Sequence, residues 1–206
     1  MTEEGTSSPD AAGAVAAPIG TWPKILTWRS DDGSLVESFR IQLSGRRIKA
    51  YGRIIGVGTP TSEAFNASLD LVTDDAGITK RLSIHLQTAA RDTAIRIARD
   101  GEDRWLVTDE QGSTRGEFAG AKNVDVLKSA FFNALTIRAH DLQTHSEEVD
   151  VPVVYVDLPG LNVHEAVINY SSAADGVTVI SPVSSSTLSV DSDGFVLDYP
   201  GLSKRV

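Results

Sequence analysis

The feature that most constrains the fold is an alternation of apolar and polar residues in short segments, with turn-forming residues between them. The segments Ser34–Leu43 and Phe65–Leu71 show this period of two, and Arg81–Gln87 shows it again after the turn Asp74–Gly77. A period of two is typical of strands with one buried face. Such segments recur roughly ten to twelve times, with turn signals about every 8–12 residues. The pattern predicts a mostly β fold: one strongly curved antiparallel sheet forming an open or closed barrel, with at most one or two short helices.

Glycines interrupt one of these segments in a regular way. Arg47–Val57 carries apolar residues typical of a strand, yet Gly52 and Gly56 lie inside it. Glycine within a strand pattern indicates a bulge or a sharp bend. We therefore expect this strand to contribute to the curvature of the sheet.

Length and composition are those of one globular domain with a tail. The chain has 206 residues, of which 41% are hydrophobic. Residues 1–21 are rich in small and acidic residues and lack periodicity, so they are expected to be a disordered tail. Residues 22–206 are expected to form a single β-rich domain.

Charge and residue types exclude several classes of protein. The formal net charge of −9 argues against a nucleic-acid partner, and the absence of cysteine removes disulfides and thiolate metal sites. The four histidines form no recognised metal-ligand spacing, and no phosphate-binding loop precedes a helix, so neither a metal nor a cofactor is expected. No apolar run approaches the roughly 20 residues of a membrane span. The acidic N-terminus is unlike a signal peptide, so we expect a cytoplasmic protein.

One stretch, NVDVLKSAFFNALTIRAH at Asn123–His140, does not follow a single period. Val124 and Val126 resemble the end of a strand, and the aromatic segment that follows is compatible with a short helix around Val124–Ala134. Alternation at Leu135–Ala139 then predicts a second strand, with Arg138 on the face opposite its apolar neighbours. The stretch is thus either a structural clasp or the polar end of an apolar pocket.

The same stretch resembles the signature of the bacterial putative glycolipid-binding family. The chain ends in VDSDGFVLDYPGLSKRV, similar to that family's C-terminal motif, and DGEDRWLV at Asp100–Val107 fits its turn and tryptophan segment. The resemblance spans Ile25–Val206 and implies a curled β-sheet and a glycolipid ligand. The matching central positions are Asp125, Phe131, Asn133, Leu135, Ile137 and Arg138; the departures at Asn123, Ala130, Thr136 and Ala139 mark a divergent member.

The polar candidates for ligand binding each have a structural alternative. Arg138 either holds the head group of an amphiphile at the end of a cavity or forms a buried ion pair with Asp125. Asp125 could otherwise accept hydrogen bonds from sugar hydroxyls. Asn133 either contacts a ligand or pins the nearby backbone. Arg205 in the C-terminal motif is a secondary candidate, with a salt bridge as its alternative.

The aromatic candidates are equally ambiguous at this level. Phe131 is either core or the wall of a pocket. Trp105 is a core anchor or a platform for a sugar ring, and Tyr199 has an apolar body and a polar tip that can reach a partner.

Three functional hypotheses follow. The leading one is a non-enzymatic protein that binds an amphipathic ligand, such as a glycolipid, in a cavity lined by the β-sheet. The second is an enzyme acting on a sugar or lipid conjugate, with Asp125 or His140 as the acid–base group. The third is a structural or interaction domain whose groove is filled by its own side chains.

Overall fold

The computed structural model describes residues 21–60 and 62–206. Within these residues the chain forms fifteen strands, one α-helix (α1, Ala130–Ala139) and a 3-10 turn at Phe118–Gly120. The predicted tail at residues 1–21 falls almost entirely outside the described residues. The strands are β1 (Lys24–Ser30), β2 (Leu35–Ser44), β3 (Arg47–Gly56), β4 (Phe65–Thr73), β5 (Thr79–Thr88), β6 (Asp92–Arg99), β7 (Trp105–Asp109), β8 (Gly112–Gly116), β9 (Asn123–Val126), β10 (Glu148–Val156), β11 (Val163–Ala173), β12 (Gly176–Ile180), β13 (Ser185–Val190), β14 (Val196–Tyr199) and β15 (Ser203–Arg205).

All fifteen strands belong to one sheet, in which β1 pairs with β15 and the chain meanders away on both sides of that pair. The order is β8-β7-β6-β5-β4-β3-β2-β1-β15-β14-β13-β12-β11-β10-β9. The sheet is not closed by strand pairing, so its edges are β8 and β9, and the prediction of a mostly β, barrel-like fold is confirmed in its open form. The sheet is antiparallel, as predicted, except at one edge, where β9 runs parallel to β10. This parallel pairing is possible because α1 lies between the two strands as a crossover.

The edge strand β9 also contacts β5, which belongs to the other half of the sheet. The backbone N–H of Thr79 on β5 lies 3.2 Å from the carbonyl of Lys122 and 2.8 Å from Oδ1 of Asn123. The Thr79 hydroxyl also donates to Asn123 Oδ1, at 2.9 Å. Asn123 therefore fastens β9 to the start of β5, in the other half of the sheet, which holds the sheet in its curled shape.

The glycines of β3 make room for aromatic rings instead of forming bulges. The pairing of β3 with β2 and β4 is continuous, and the register shifts lie elsewhere, at Val72/Thr73 and Ser189/Val190. A Cβ placed on Gly52 would lie 2.3 Å from Cδ1 of Phe39, and one on Gly56 would lie 2.2 Å from Cε1 of Phe65. Of the two alternatives, a bulge or a bend, the bulge is absent at these positions, and the glycines leave the space that the neighbouring rings occupy.

Helix α1 lies inside the curled sheet, and every residue from Ala130 to Ile137 is buried. Phe131 stacks on Phe39 of β2 with ring centroids 4.1 Å apart, and the edge of Phe132 meets the Phe131 ring at 5.1 Å. The predicted strand at Leu135–Ala139 is therefore wrong. A helix surrounded by apolar partners needs no polar face and shows no clear 3.6-residue period, so its sequence does not distinguish it from a buried strand. In the described part of the chain no helix is long and apolar enough to cross a membrane.

Candidate functional site

A cavity of about 500 Å³ opens where the start of α1 meets the strands of the C-terminal half of the sheet. We call it the Asp125 cavity. Its volume is within the range of about 300–1,000 Å³ that small-molecule sites occupy. Three features define it: an apolar wall (Val126, Ile168, Val179), buried polar groups (Asp125, Asn133, Tyr155, Tyr199) and an exposed rim rich in serine (Ser181, Ser184–Ser186).

Asp125, on β9, is the only carboxylic acid in the lining of this cavity. It is 6% exposed, and no side chain among the described residues hydrogen-bonds to its carboxyl group. Burial raises the pKa of Asp125 from 3.8 to about 8; the amide of Val126 opposes the rise, and the negative charge of Glu37 adds to it. The carboxyl group is therefore mostly protonated at neutral pH and can donate one hydrogen bond as well as accept others.

Glu37, on β2, lies behind the cavity and holds the start of α1 in place. Its side chain is fully buried, and its Oε1 accepts hydrogen bonds from the backbone N–H groups of Ala130 at 2.6 Å and Phe131 at 3.2 Å. Its Oε2 is hydrogen-bonded to the hydroxyl of Ser129. These contacts satisfy N–H groups that a helix leaves without an intrahelical partner. Burial raises the pKa of Glu37 from 4.5 to about 7, although all three hydrogen bonds favour the ionised form.

Asn133 both lines the cavity and fixes the first turn of the helix. Its Nδ2 donates to the carbonyl of Ser129 at 3.1 Å, and the hydroxyl of Tyr170 donates to its Oδ1 at 3.2 Å. The expectation that Asn133 pins nearby backbone thus agrees with these contacts. The same arrangement keeps the amide at the surface of the cavity.

Two tyrosines place hydroxyl groups in the cavity. Tyr155 on β10 and Tyr199 on β14 are both nearly buried, and burial raises the pKa of each phenol above its ordinary value. Both phenols therefore stay protonated at neutral pH. The Tyr199 oxygen lies 3.4 Å from the Ser184 hydroxyl at the rim, so a row of uncharged hydrogen-bonding groups connects the interior with the opening.

The structure brings together three of the seven sequence-predicted site residues, Asp125, Asn133 and Tyr199. Arg138 lies elsewhere, near the C-terminal end of α1. Its guanidinium donates to the carbonyl oxygens of Asp193 and Gly45, the latter at 2.8 Å. No salt bridge joins Asp125 to Arg138 among the described residues, so the expected ion pair is not formed. The prediction that Arg138 lies at the end of a cavity assumed that it is on a strand. Arg138 is on α1 instead, and its side chain points to Asp193 and Gly45.

The other three predicted residues make contacts within the protein. Trp105 is fully buried and donates from Nε1 to the carbonyl of Ala121 at 2.9 Å. Phe131 is fully buried in the aromatic cluster of the core. Arg205 forms a 2.6 Å ion pair with Asp191. None of the three lines the Asp125 cavity.

Glu37 is the residue that sequence reasoning missed, although the sequence contains a signal for it. In β2 the inward positions are every second residue, including Leu35, Phe39 and Ile41, and Glu37 has the same parity. An acid on the apolar face of a strand must find buried hydrogen-bond donors. The serines at the rim gave no such signal, because Ser184–Ser186 resembles any polar turn.

The fold and the cavity together define a class: an open β-barrel, filled at one end by a helix, with a small-molecule-sized cavity beside the helix start. Residues 25–205 match the model of the putative glycolipid-binding family, and the chain belongs to this family. It is also similar to the 1.80 Å crystal structure of a DUF1089 family protein from Pseudomonas aeruginosa, with a TM-score of 0.70 and 19% identity over 95% of this chain and 100% of that chain. At this identity the similarity shows a shared fold. No curated protein matches the chain.

Proposed function

We propose that the protein binds one amphipathic molecule in the Asp125 cavity without transforming it. The observation that carries the proposal is the lining itself, an apolar wall next to a buried, uncharged set of hydrogen-bonding groups. An alkyl or acyl segment gains free energy against Val126, Ile168 and Val179 because apolar surface leaves water. Membership of the putative glycolipid-binding family supports a binding role.

The polar groups favour a ligand that bears hydroxyls. A protonated Asp125, the amide of Asn133 and the two tyrosine phenols each offer donors and acceptors, which match the mixed character of sugar or glycerol hydroxyls. A purely apolar molecule would offer no partner to the Asp125 carboxyl group, to which no described side chain hydrogen-bonds, and this costs free energy. The cavity volume of about 500 Å³ also supports a binding role over a purely structural domain.

One observation favours the alternative of an enzyme acting on a sugar conjugate. Asp125 is a carboxylic acid with a raised pKa in a cavity, which is the condition of a general acid. Glycoside hydrolysis generally requires a second carboxylate facing the substrate. The nearest candidate, Glu37, is fully buried behind α1 and bound to Ser129, Ala130 and Phe131, and does not line the cavity. The geometry therefore supports binding better than catalysis.

The test is binding of the neutral fluorescent probe N-phenyl-1-naphthylamine and its displacement by dodecyl maltoside, an amphiphile with an uncharged sugar head. The key variant is Ser185→Trp, which places a large ring at the rim, where Ser185 is exposed. The control is Ser189→Trp, at another exposed position of β13 that does not line the cavity. Native mass spectrometry of the purified protein would identify a ligand that co-purifies.

We expect probe binding in the wild type and the Ser189→Trp variant, and a large loss in the Ser185→Trp variant. Equal binding by all three proteins would show that the probe binds elsewhere and would refute the proposal. Hydrolysis of the maltoside by the wild type, abolished by Asp125→Asn, would establish the enzyme instead.

A further inference from the structure

A second cavity adjoins the first, and the two share one lysine. This second cavity, of about 510 Å³, lies between the β1–β2 turn, the end of β3 and the start of β4, and we call it the Asp32 cavity. Leu127, Lys128, Gly201 and Leu202 line both cavities and separate them. These four residues form the partition between the cavities. Among the described residues, Lys128 is the only charged one common to the two linings.

The backbone of Lys128 has an unusual conformation. Its φ of +65° is in the left-handed region, which residues other than glycine, asparagine and aspartate rarely adopt. Such conformations cluster at ligand clamps and active sites, where the surrounding structure over-determines them. Lys128 lies in the turn between β9 and α1, where the N–H of buried Ser129 donates to the carbonyl of buried Val126 at 3.0 Å. The turn leaves Lys128 exposed at the junction of the two cavities.

The side chain of Lys128 has no partner within the described residues. None of the twelve salt bridges there includes Lys128. An exposed lysine without a partner is ordinary on a surface. Lys128, however, also lines the Asp125 cavity, and the rest of that lining has no ionised group. In the Asp125 cavity the other polar groups are hydroxyls, an amide and a carboxyl group that burial keeps protonated at neutral pH.

The charges of the Asp32 cavity further define where an anion can bind. Asp31 and Asp32 line this cavity, and the backbone N–H of Asp31 donates to the carbonyl of Leu202 in the partition at 3.3 Å. Hydrogen bonds from Ser34 and Ser30 lower the pKa of Asp32 to about 2, so that it stays ionised. These negative charges disfavour an anion deep in the Asp32 cavity. The favourable position for an anion is therefore the partition itself, on the side of the Asp125 cavity.

We propose that Lys128 binds the anionic head group, a carboxylate or a phosphate, of an amphiphile whose chain lies in the Asp125 cavity. This inference rests on the proposed function and adds the charge class of the ligand. The uncharged hydrogen-bonding groups of the cavity hold hydroxyls of the same molecule, while the ammonium group gives an ionic contact at its mouth. Lys128 thereby distinguishes anionic from neutral amphiphiles with chains of the same length.

The test uses three competitors with the same dodecyl chain: laurate, dodecyl phosphate and dodecyl maltoside, each below its micellar concentration. Their displacement of N-phenyl-1-naphthylamine is measured for the wild type, for Lys128→Gln and for the control Lys80→Gln, an exposed lysine outside both cavities. We expect Lys128→Gln to weaken the better anion about tenfold, as loss of a charge-assisted hydrogen bond does, and to leave dodecyl maltoside unchanged. Salt should weaken anion binding to the wild type more than to Lys128→Gln.

The outcomes separate the two proposals. If Lys128→Gln weakens all three competitors equally, or none, the anion-binding role of Lys128 is refuted while the cavity still binds amphiphiles. If only dodecyl maltoside displaces the probe from the wild type, the ligand is neutral and the inference also fails. If no competitor displaces the probe from the wild type, both proposals fail. A preference for dodecyl phosphate over laurate would identify a phosphate head group, and the reverse a carboxylate.

Discussion

Replacing Glu37 by glutamine should make the protein more stable at alkaline pH and leave it unchanged at acidic pH. Oε1 of Glu37 accepts both helix N–H groups, and Oε2 contacts the Ser129 hydroxyl. A protonated carboxyl group keeps this pattern by donating from Oε2 to Ser129, and the amide of glutamine can do the same from Nε2. Glu37→Gln is therefore an uncharged mimic of the protonated wild type.

The magnitude follows from the pKa of the buried group. The folded state raises the pKa of Glu37 from 4.5 to about 7, so the folded protein holds a proton that the unfolded chain has lost between these pH values. The stability associated with this proton is fully present below pH 4.5 and is lost as pH rises through about 7. The loss amounts to about 3 kcal/mol of unfolding free energy, or about 6–12 °C in melting temperature for a chain of this size.

The assay is thermal and urea unfolding of both proteins at several pH values from 4.5 to 8.5, followed by circular dichroism. The quantity that matters is the difference in unfolding free energy between variant and wild type at each pH, because titrating groups that do not interact with Glu37 cancel in it. Asp125 does not cancel completely, because the charge of Glu37 raises its pKa. We expect this difference to be near zero at the acidic end and about 3 kcal/mol in favour of Glu37→Gln at the alkaline end. Glu165→Gln, at an exposed position of β11, serves as the control and should show no such trend.

A pH-independent difference between Glu37→Gln and the wild type would contradict this reasoning. It would mean that the three hydrogen bonds stabilise the ionised carboxylate enough to cancel the cost of its burial. Destabilisation at every pH would show instead that the amide cannot replace the hydrogen bonds to the start of α1.

Three further predictions concern stability at other positions. Arg138→Ala should lower the unfolding free energy by about 1–3 kcal/mol, because the carbonyls of Gly45 and Asp193 lose their donor; probe binding should persist, and loss of binding without loss of stability would restore a ligand role for Arg138. Gly52→Ala should lower the unfolding free energy, measured with urea, by about 1–3 kcal/mol or more, because its Cβ would overlap the ring of Phe39 and the carbonyl of Ser38. An unchanged urea midpoint would show that the strands can separate to admit a methyl group. Asp125→Asn should reduce the decline in unfolding free energy that the wild type shows between about pH 4 and pH 8, because the folded state retains the Asp125 proton over this interval. An unaltered pH profile would show that Asp125 is ionised in the fold.

Much of the fold could be predicted from the sequence because a strand with one buried face has a period of two. The alternation in β2, β4 and β5 predicts these strands to within a few residues. The turns at Gly77 and Gly194 also have the positive φ values that glycine-containing turns require. Each of these features depends on residues close together in the chain.

The central stretch could not be predicted in the same way. In α1 the residues from Ala130 to Ile137 are all buried, so the helical period that exposure to water would produce is missing. The parallel pairing of β9 places Asn123 opposite Val153 on β10, and the fastening of Asn123 to Thr79 joins residues 44 apart in the chain. The sequence pattern therefore shows that the stretch has no single period, but it assigns Leu135–Ala139 to a strand instead of a helix.

The sequence by itself determined the composition of the walls: alternating strands, a buried aromatic cluster and a C-terminal motif that brings Tyr199 to the end of a strand. Only the tertiary structure decided which polar residues share a cavity. It placed Asp125 beside Asn133 and Tyr199, moved Arg138 away from them, and brought Glu37 from a strand 92 residues earlier to the hydroxyl of Ser129. The physical reason is that a carboxyl group changes its protonation with its surroundings, and these surroundings are made by strands and a helix that meet only when the sheet curls around α1.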